Sequence, residues 1–165
     1  MPSGIYTTIS LDPFYQEFLR AQFNQKNLVF TFPKGHDLLL RVERYLTTPP
    51  IDFKPVTYGP ETFRIELPFM EVKNPNVHFY ISDRKQKIFT ARVRDYFREI
   101  FHEEMRKYRS KNFNKNEAII CFLEDFNISE IYEDRLVKAY NRYIDIERAR
   151  RFRRYRRSRK SLSVK

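Results

Sequence analysis

Glycine is scarce in this 165-residue chain, with only Gly4, Gly35 and Gly59, and no two of them are close enough to build a Gly-rich phosphate cradle. Nucleotide chemistry of the Walker or dinucleotide type is therefore excluded. The single cysteine, Cys121, has no partner for an internal disulfide, and three scattered histidines leave no Cys/His set for structural zinc. No cofactor is predicted, and the expected compartment is a reducing one. Long apolar runs are missing as well: 32% of residues are charged and the mean hydropathy is -0.68, which argues against a membrane-spanning chain. Met1 to Ser10 has neither the basic region nor the apolar run of a secretory leader, so the chain is read as cytoplasmic or, in the assembly reading below, virion-associated. Tryptophan is absent, but 16 Phe and 11 Tyr with 41% hydrophobic content supply material for a core. The chain is expected to fold.

Acidic residues are missing from one place above all. The net charge is +11, and its distribution is uneven: residues 1–83 carry -1, residues 84–111 carry +6, residues 112–147 carry -4 and residues 148–165 carry +10 with no acidic side chain. Without its last 18 residues the chain would carry only +1. Arg148 to Lys160 reads RARRFRRYRRSRK, eight arginines and one lysine in 13 residues. Such a run repels itself, and a polyanion gives it a reason to exist, because each neutralised phosphate releases condensed counterions. Arginine suits forked phosphate contacts and stacking, and the interleaved Phe152 and Tyr155 suit stacking on unpaired bases. Nucleic acid is the expected partner, with DNA placed ahead of RNA. The contacts are assigned to Arg148, Arg150, Arg151, Phe152, Arg153, Arg154, Tyr155, Arg156, Arg157, Arg159 and Lys160. A membrane surface is disfavoured because the run lacks a continuous Leu or Ile face. The plain alternative is a solvated extension or a targeting address.

The pattern along the chain predicts an α+β fold: a small mixed unit over 1–83, a helical region over 84–147 and an arginine-rich arm over 148–165. In the first part, Ile5 to Ser10 reads as a strand, and Asp12 with Pro13 starts a helix carrying Phe14, Tyr15, Phe18, Leu19 and Phe23 and stopping at Asn24 to Asn27. Leu28 to Phe32 reads as a short buried strand, Asp37 to Leu46 as a short helix and the proline-rich Thr47 to Pro60 as an extended connection. Phe63, Ile65 and Leu67 alternate with polar residues, Val77 to Ser82 is a further strand candidate, and turn residues between them predict antiparallel pairing of the two.

From Arg84 to Asn112 there is neither Pro nor Gly, and Phe89, Val93, Tyr96, Phe97, Ile100, Phe101, Met105 and Tyr108 form the apolar stripe of a spine helix roughly 40 Å long. Beside that stripe Arg94, Arg98, His102 and Arg106 recur every four residues, with Arg109 three further on, and form a basic row that reads either as a phosphate-tracking ridge or as a solvated face with lateral ion pairs such as Glu103 with Lys107. Asn114 with Glu117 is a capping-box start for a second helix, whose all-apolar run Ala118 to Leu123 predicts burial on most sides. Ser129 caps a third helix with Leu136, Val137, Tyr140, Tyr143 and Ile144, which nothing interrupts before the arginine run. This pair resembles a helix-turn-helix in spacing, but Glu130, Glu133 and Asp134 would face phosphates, so a packing hairpin is the better reading.

Catalytic chemistry has one candidate. Glu61, Glu71 and Lys73 loosely fit the acid…acid-x-Lys pattern of Mg-dependent nucleases, with Glu66 able to replace Glu61, and that freedom shows how little the pattern constrains. His102 has no histidine four residues on, Cys121 reads as a core residue, and His36 and His78 read as hydrogen-bonding residues at element ends. The expected function is thus non-enzymatic nucleic-acid binding by an accessory or regulatory DNA-binding factor. The alternatives are an oligomeric assembly component of a virion or nucleoprotein particle whose arm neutralises enclosed nucleic acid, and a Mg-dependent nuclease.

Overall fold

The computed structural model describes residues 4–54, 59–68 and 73–162, with side chains described to Arg156. The chain divides into two units, Met1–Ile100 with Phe126–Ile128, and Phe101–Asp125 with Ser129–Lys165. The fold class is α+β, a small sheet near the start followed by long helices.

In the first unit the elements run β1 (Tyr6–Ser10), α1 (Pro13–Gln22), β2 (Val29–Phe30), α2 (Asp37–Tyr45), β3 (Thr62–Glu66) and the first part of α3 (Asp83–Ser110). The start of α1 is set by Asp12, whose carboxylate accepts the Phe14 N–H at 3.0 Å, with Pro13 in the first turn. It ends where Asn24 takes a left-handed φ of 50°, a conformation Asn tolerates better than most residues. His36 caps α2 through Nδ1, which accepts the Leu38 N–H at 3.2 Å. Burial holds the His36 imidazole below its ordinary pKa against the opposing pull of Asp37, and the acceptor role needs that neutral ring.

The sheet order is β1-β3-β2, with β3 antiparallel to β1 (Thr8 opposite Arg64) and parallel to β2 (Phe30 opposite Ile65). This corrects the expected pairing of β3 with Val77–Ser82. The amides of Val77 and His78 both donate to Asn74 O, at 3.0 and 2.9 Å, so a turn consumes them, and only Tyr80 reaches across to Thr47 in a single bridge. β2 is also shorter than Leu28 to Phe32. Side chains replace sheet partners at both ends: Arg20 donates to the carbonyls of Asn27 and Leu28, while the Gln25 amide bonds both Thr31 O and Thr31 N–H.

Ile9, Phe63, Ile65 and Phe30 alternate onto the buried face of the sheet. Against them lies an aromatic core in which Phe97 meets Phe14 at 5.0 Å and Phe18 at 5.2 Å, both edge to face. Phe97→Ala would cost about 3–5 kcal/mol, because the lost area is compounded by a cavity. Gln86 fastens the start of α3 to β1 by accepting the Ser10 N–H at 3.0 Å.

The second unit holds the rest of α3, α4 (Lys115–Asp125), a 3-10 turn (Glu130–Tyr132) and α5 (Glu133–Leu162). The capping box at α4 is present in both directions: Asn114 Oδ1 accepts the Glu117 N–H at 3.1 Å, and Glu117 Oε2 accepts the Asn114 N–H at 2.7 Å. The helix is more amphipathic than its apolar run predicts. Ala118, Ile119, Phe122 and Leu123 are buried, but Ile120 is exposed and Cys121 only half-buried, since a two-helix contact covers one face. Phe101 packs on Phe122 at 5.1 Å and His102 on Tyr143 at 5.1 Å. Tyr108 donates its hydroxyl to Asp125 at 2.5 Å; burial first, then that carboxylate, push the phenol far above its usual pKa and keep it a donor.

Candidate nucleic-acid interface

α5 has two characters within one unbroken helix. Its first turn carries Glu133 and Asp134, favourable at the positive end of the helix dipole, and Leu136, Tyr140 and Tyr143 are buried. Beyond Tyr143 no described residue of the helix is buried. The arm emerges because the apolar spacing stops there while helix propensity does not: Arg is a good helix former and neither Pro nor Gly intervenes.

Every residue from Arg148 to Arg156 is exposed. At about 100° per residue, Arg148, Arg150, Arg151, Arg153, Arg154 and Arg156 are spread around the whole circumference at intervals of about 40–80°. Phe152 and Tyr155, 59% and 57% exposed, lie on one side, about 60° apart. The Arg156 guanidinium sits 5.4 Å from the Phe152 ring centroid. Two carboxylates answer the start of the run: Glu147 is 3.0 Å from Arg150, and Asp145 is 3.9 Å from Arg148. Both pairs lie at the surface, with Glu147 half-buried, and are weak, about 0–1 kcal/mol each. Among the described residues, no carboxylate lies within ion-pair distance of Arg151, Arg153 or Arg154. The side chains of Arg157, Arg159 and Lys160 lie outside the described residues.

At the root of the arm, Arg109 from the end of α3 joins Arg148 and Arg151 around a cleft of about 550 Å³ that also contains Tyr140, Asn141 and Asp145. Three arginines assigned separately from the sequence are thus gathered in one place. Tyr140 and Asn141 were missed, although Asn141, Asp145 and Arg148 have the i, i+4, i+7 spacing that puts them on one helical face.

The remaining arginines of the basic row are not gathered with them. Arg94 lines a separate hollow with Ser10, Asp12 and Glu61 in the first unit. Arg98 pairs with Asp95 at 3.0 Å, and Arg106 Nε donates to the His102 carbonyl at 3.2 Å. Lys107 bridges Glu103 and Glu104 at 3.1 and 2.8 Å, so lateral ion pairs do run along this face.

The nuclease residues have other partners. Lys73 Nζ donates to the carbonyls of Glu43, Arg44 and Leu46, at 3.0, 3.2 and 3.0 Å, and thereby caps the C-terminus of α2. Glu61 accepts from the Ser10 hydroxyl at 3.3 Å and Glu66 from the Thr31 hydroxyl at 2.6 Å, while Glu71 lies outside the described residues. Among the described residues, no three His, Cys, Asp or Glu side chains cluster as metal ligands, and no helix is long and apolar enough to cross a membrane.

The chain matches no protein-family model, no curated protein and no solved structure.

Proposed function

We propose that the protein is a non-enzymatic DNA-binding factor that grips the phosphate backbone with the arm of α5. The observation that carries this reading is the exposed helix from Arg148 to Arg156, with cations on every side and Arg151, Arg153 and Arg154 unanswered by any described carboxylate. Like charges at i, i+3 and i, i+4, such as Arg150 with Arg153 and Arg154, each cost the free helix about 0.2–0.5 kcal/mol. A polyanion removes that penalty and releases counterions at the same time.

A helix charged all round suits the major groove of B-form DNA, which is about 12 Å wide and admits one α-helix between two phosphate walls. The deep, narrow major groove of A-form RNA does not, which favours DNA. The acidic start of α5 disfavours base reading by Glu133 and Asp134, so recognition by the arm is electrostatic rather than sequence-specific. The reading places the protein wherever that DNA is held, in the cytoplasm or inside a virion.

The test is fluorescence anisotropy with labelled duplex DNA, comparing wild type with the triple variant Arg151→Gln, Arg153→Gln, Arg154→Gln. Affinity is expected to fall at least about tenfold at moderate salt. Equal affinity for the two proteins rejects the arm as the contact surface.

A further inference from the structure

A second site stands in the first unit, on the face of the sheet turned away from the core. Along β1, Thr7 and Ile9 are buried, so Tyr6 and Thr8 project to the other side; along β3, Phe63 and Ile65 are buried, so Arg64 projects there too. Register places Thr8 opposite Arg64 and Tyr6 diagonal to it, and the Arg64 guanidinium lies 4.6 Å from the Tyr6 ring centroid. Phe53, Phe79 and Tyr80 complete a cleft of about 370 Å³ over this shelf. Its wall is fixed: Tyr80 exchanges two backbone hydrogen bonds with Thr47, at 2.9 and 3.1 Å, and Phe53 meets the rings of Tyr80 at 5.1 Å and Phe79 at 6.1 Å.

We infer that this cleft takes an unpaired nucleobase of the bound DNA. Four aromatic rings supply the flat, sequence-tolerant surfaces on which bases stack, each stack being worth about 1–3 kcal/mol in single-strand binders. Among the described residues of the lining Arg64 is the one that carries a charge, and its guanidinium adds a plane for stacking beside the rings. Asn76 and Thr8 bring donors and acceptors to the edge of the space, which an aliphatic ligand would leave unused. The volume falls within the range of about 300–1,000 Å³ typical of small-ligand sites, enough for one base.

The identity of the partner rests on the nucleic-acid reading above, while the chemistry of the cleft is tested apart from it. Full-length protein carrying Phe152→Ala and Tyr155→Ala, so that the rings of the arm contribute nothing, is mixed with thymidine, deoxyadenosine, deoxyribose or N-acetyl-tyrosinamide. Saturation-transfer NMR is expected to show transfer to the base protons and none to deoxyribose. Adding Phe79→Ala, or Arg64→Lys if the former disturbs the circular dichroism spectrum, should reduce the transfer at least about fivefold. With the native arm, a duplex bearing an unpaired thymidine should bind at least about fivefold more tightly than one with an abasic residue there. No transfer to bases, transfer unchanged in the substituted cleft, stronger transfer to N-acetyl-tyrosinamide, or equal affinity for the thymidine and abasic duplexes would each overturn the inference. Loss of arm-dependent duplex binding shows separately, in the arginine variants, and leaves the nucleoside result standing.

Discussion

The Arg156 guanidinium lies 5.4 Å from the ring centroid of Phe152, one turn back along α5, in a segment where every described side chain faces solvent. An exposed ring stacked with a cation is poised to exchange that contact for a base. Replacing both Phe152 and Tyr155 by Ala is therefore expected to weaken single-stranded DNA by about 1–3 kcal/mol while changing duplex affinity much less. Parallel titrations of the two DNAs, at matched salt, check this; equal losses would mean that the rings serve helix packing or general affinity and not stacking.

Lys73 supplies a second prediction, on stability. Its ammonium holds three carbonyls at the end of α2, so Lys73→Met is expected to cost about 1–3 kcal/mol in urea denaturation, as the part-buried acceptors of Glu43 and Leu46 lose their partner. A lysine retained for phosphate chemistry would instead leave the urea midpoint where it is when replaced.

The early-chain helices and the arm were legible in the sequence because their signals are local. Asp12–Pro13 marked α1, Asn114 with Glu117 marked α4, and the absence of breakers through Tyr155 showed α5 continuing into the arginines; each observed cap or continuation involves residues within a turn of one another. The sheet was less legible. Partner choice for β3 is settled by β1, more than 50 residues earlier, and the alternation that identified the strand says nothing about which neighbour it takes. Val77–Ser82 has a strand's composition, but the Asn74 carboxamide and carbonyl draw the amides of Asn76, Val77 and His78 into a turn. Separation in sequence likewise hid the meeting of Arg109 with Arg148 and Arg151 and the capping role of Lys73.

His36 sets a pH dependence with a definite sign. Its pKa is lowered in the folded protein, so between the folded value and the unfolded value near 6.5 the unfolded chain binds more protons. Stability is then full above about pH 7 and declines as pH falls through the unfolded pKa. The melting temperature of wild type should drop between pH 7 and pH 5 by more than that of His36→Asn, which keeps a capping acceptor without the titration. Parallel curves for the two proteins would remove His36 from the account.

The most direct test of the central claim is the slope of log affinity against log salt for duplex DNA, measured with full-length protein and with a chain ending at residue 147. The slope changes by about 0.9 for each phosphate neutralised, so an arm that engages several phosphates predicts a steep dependence for the full chain and a slope shallower by about 4–8 for the shortened one. Superimposable slopes for the two chains would contradict it.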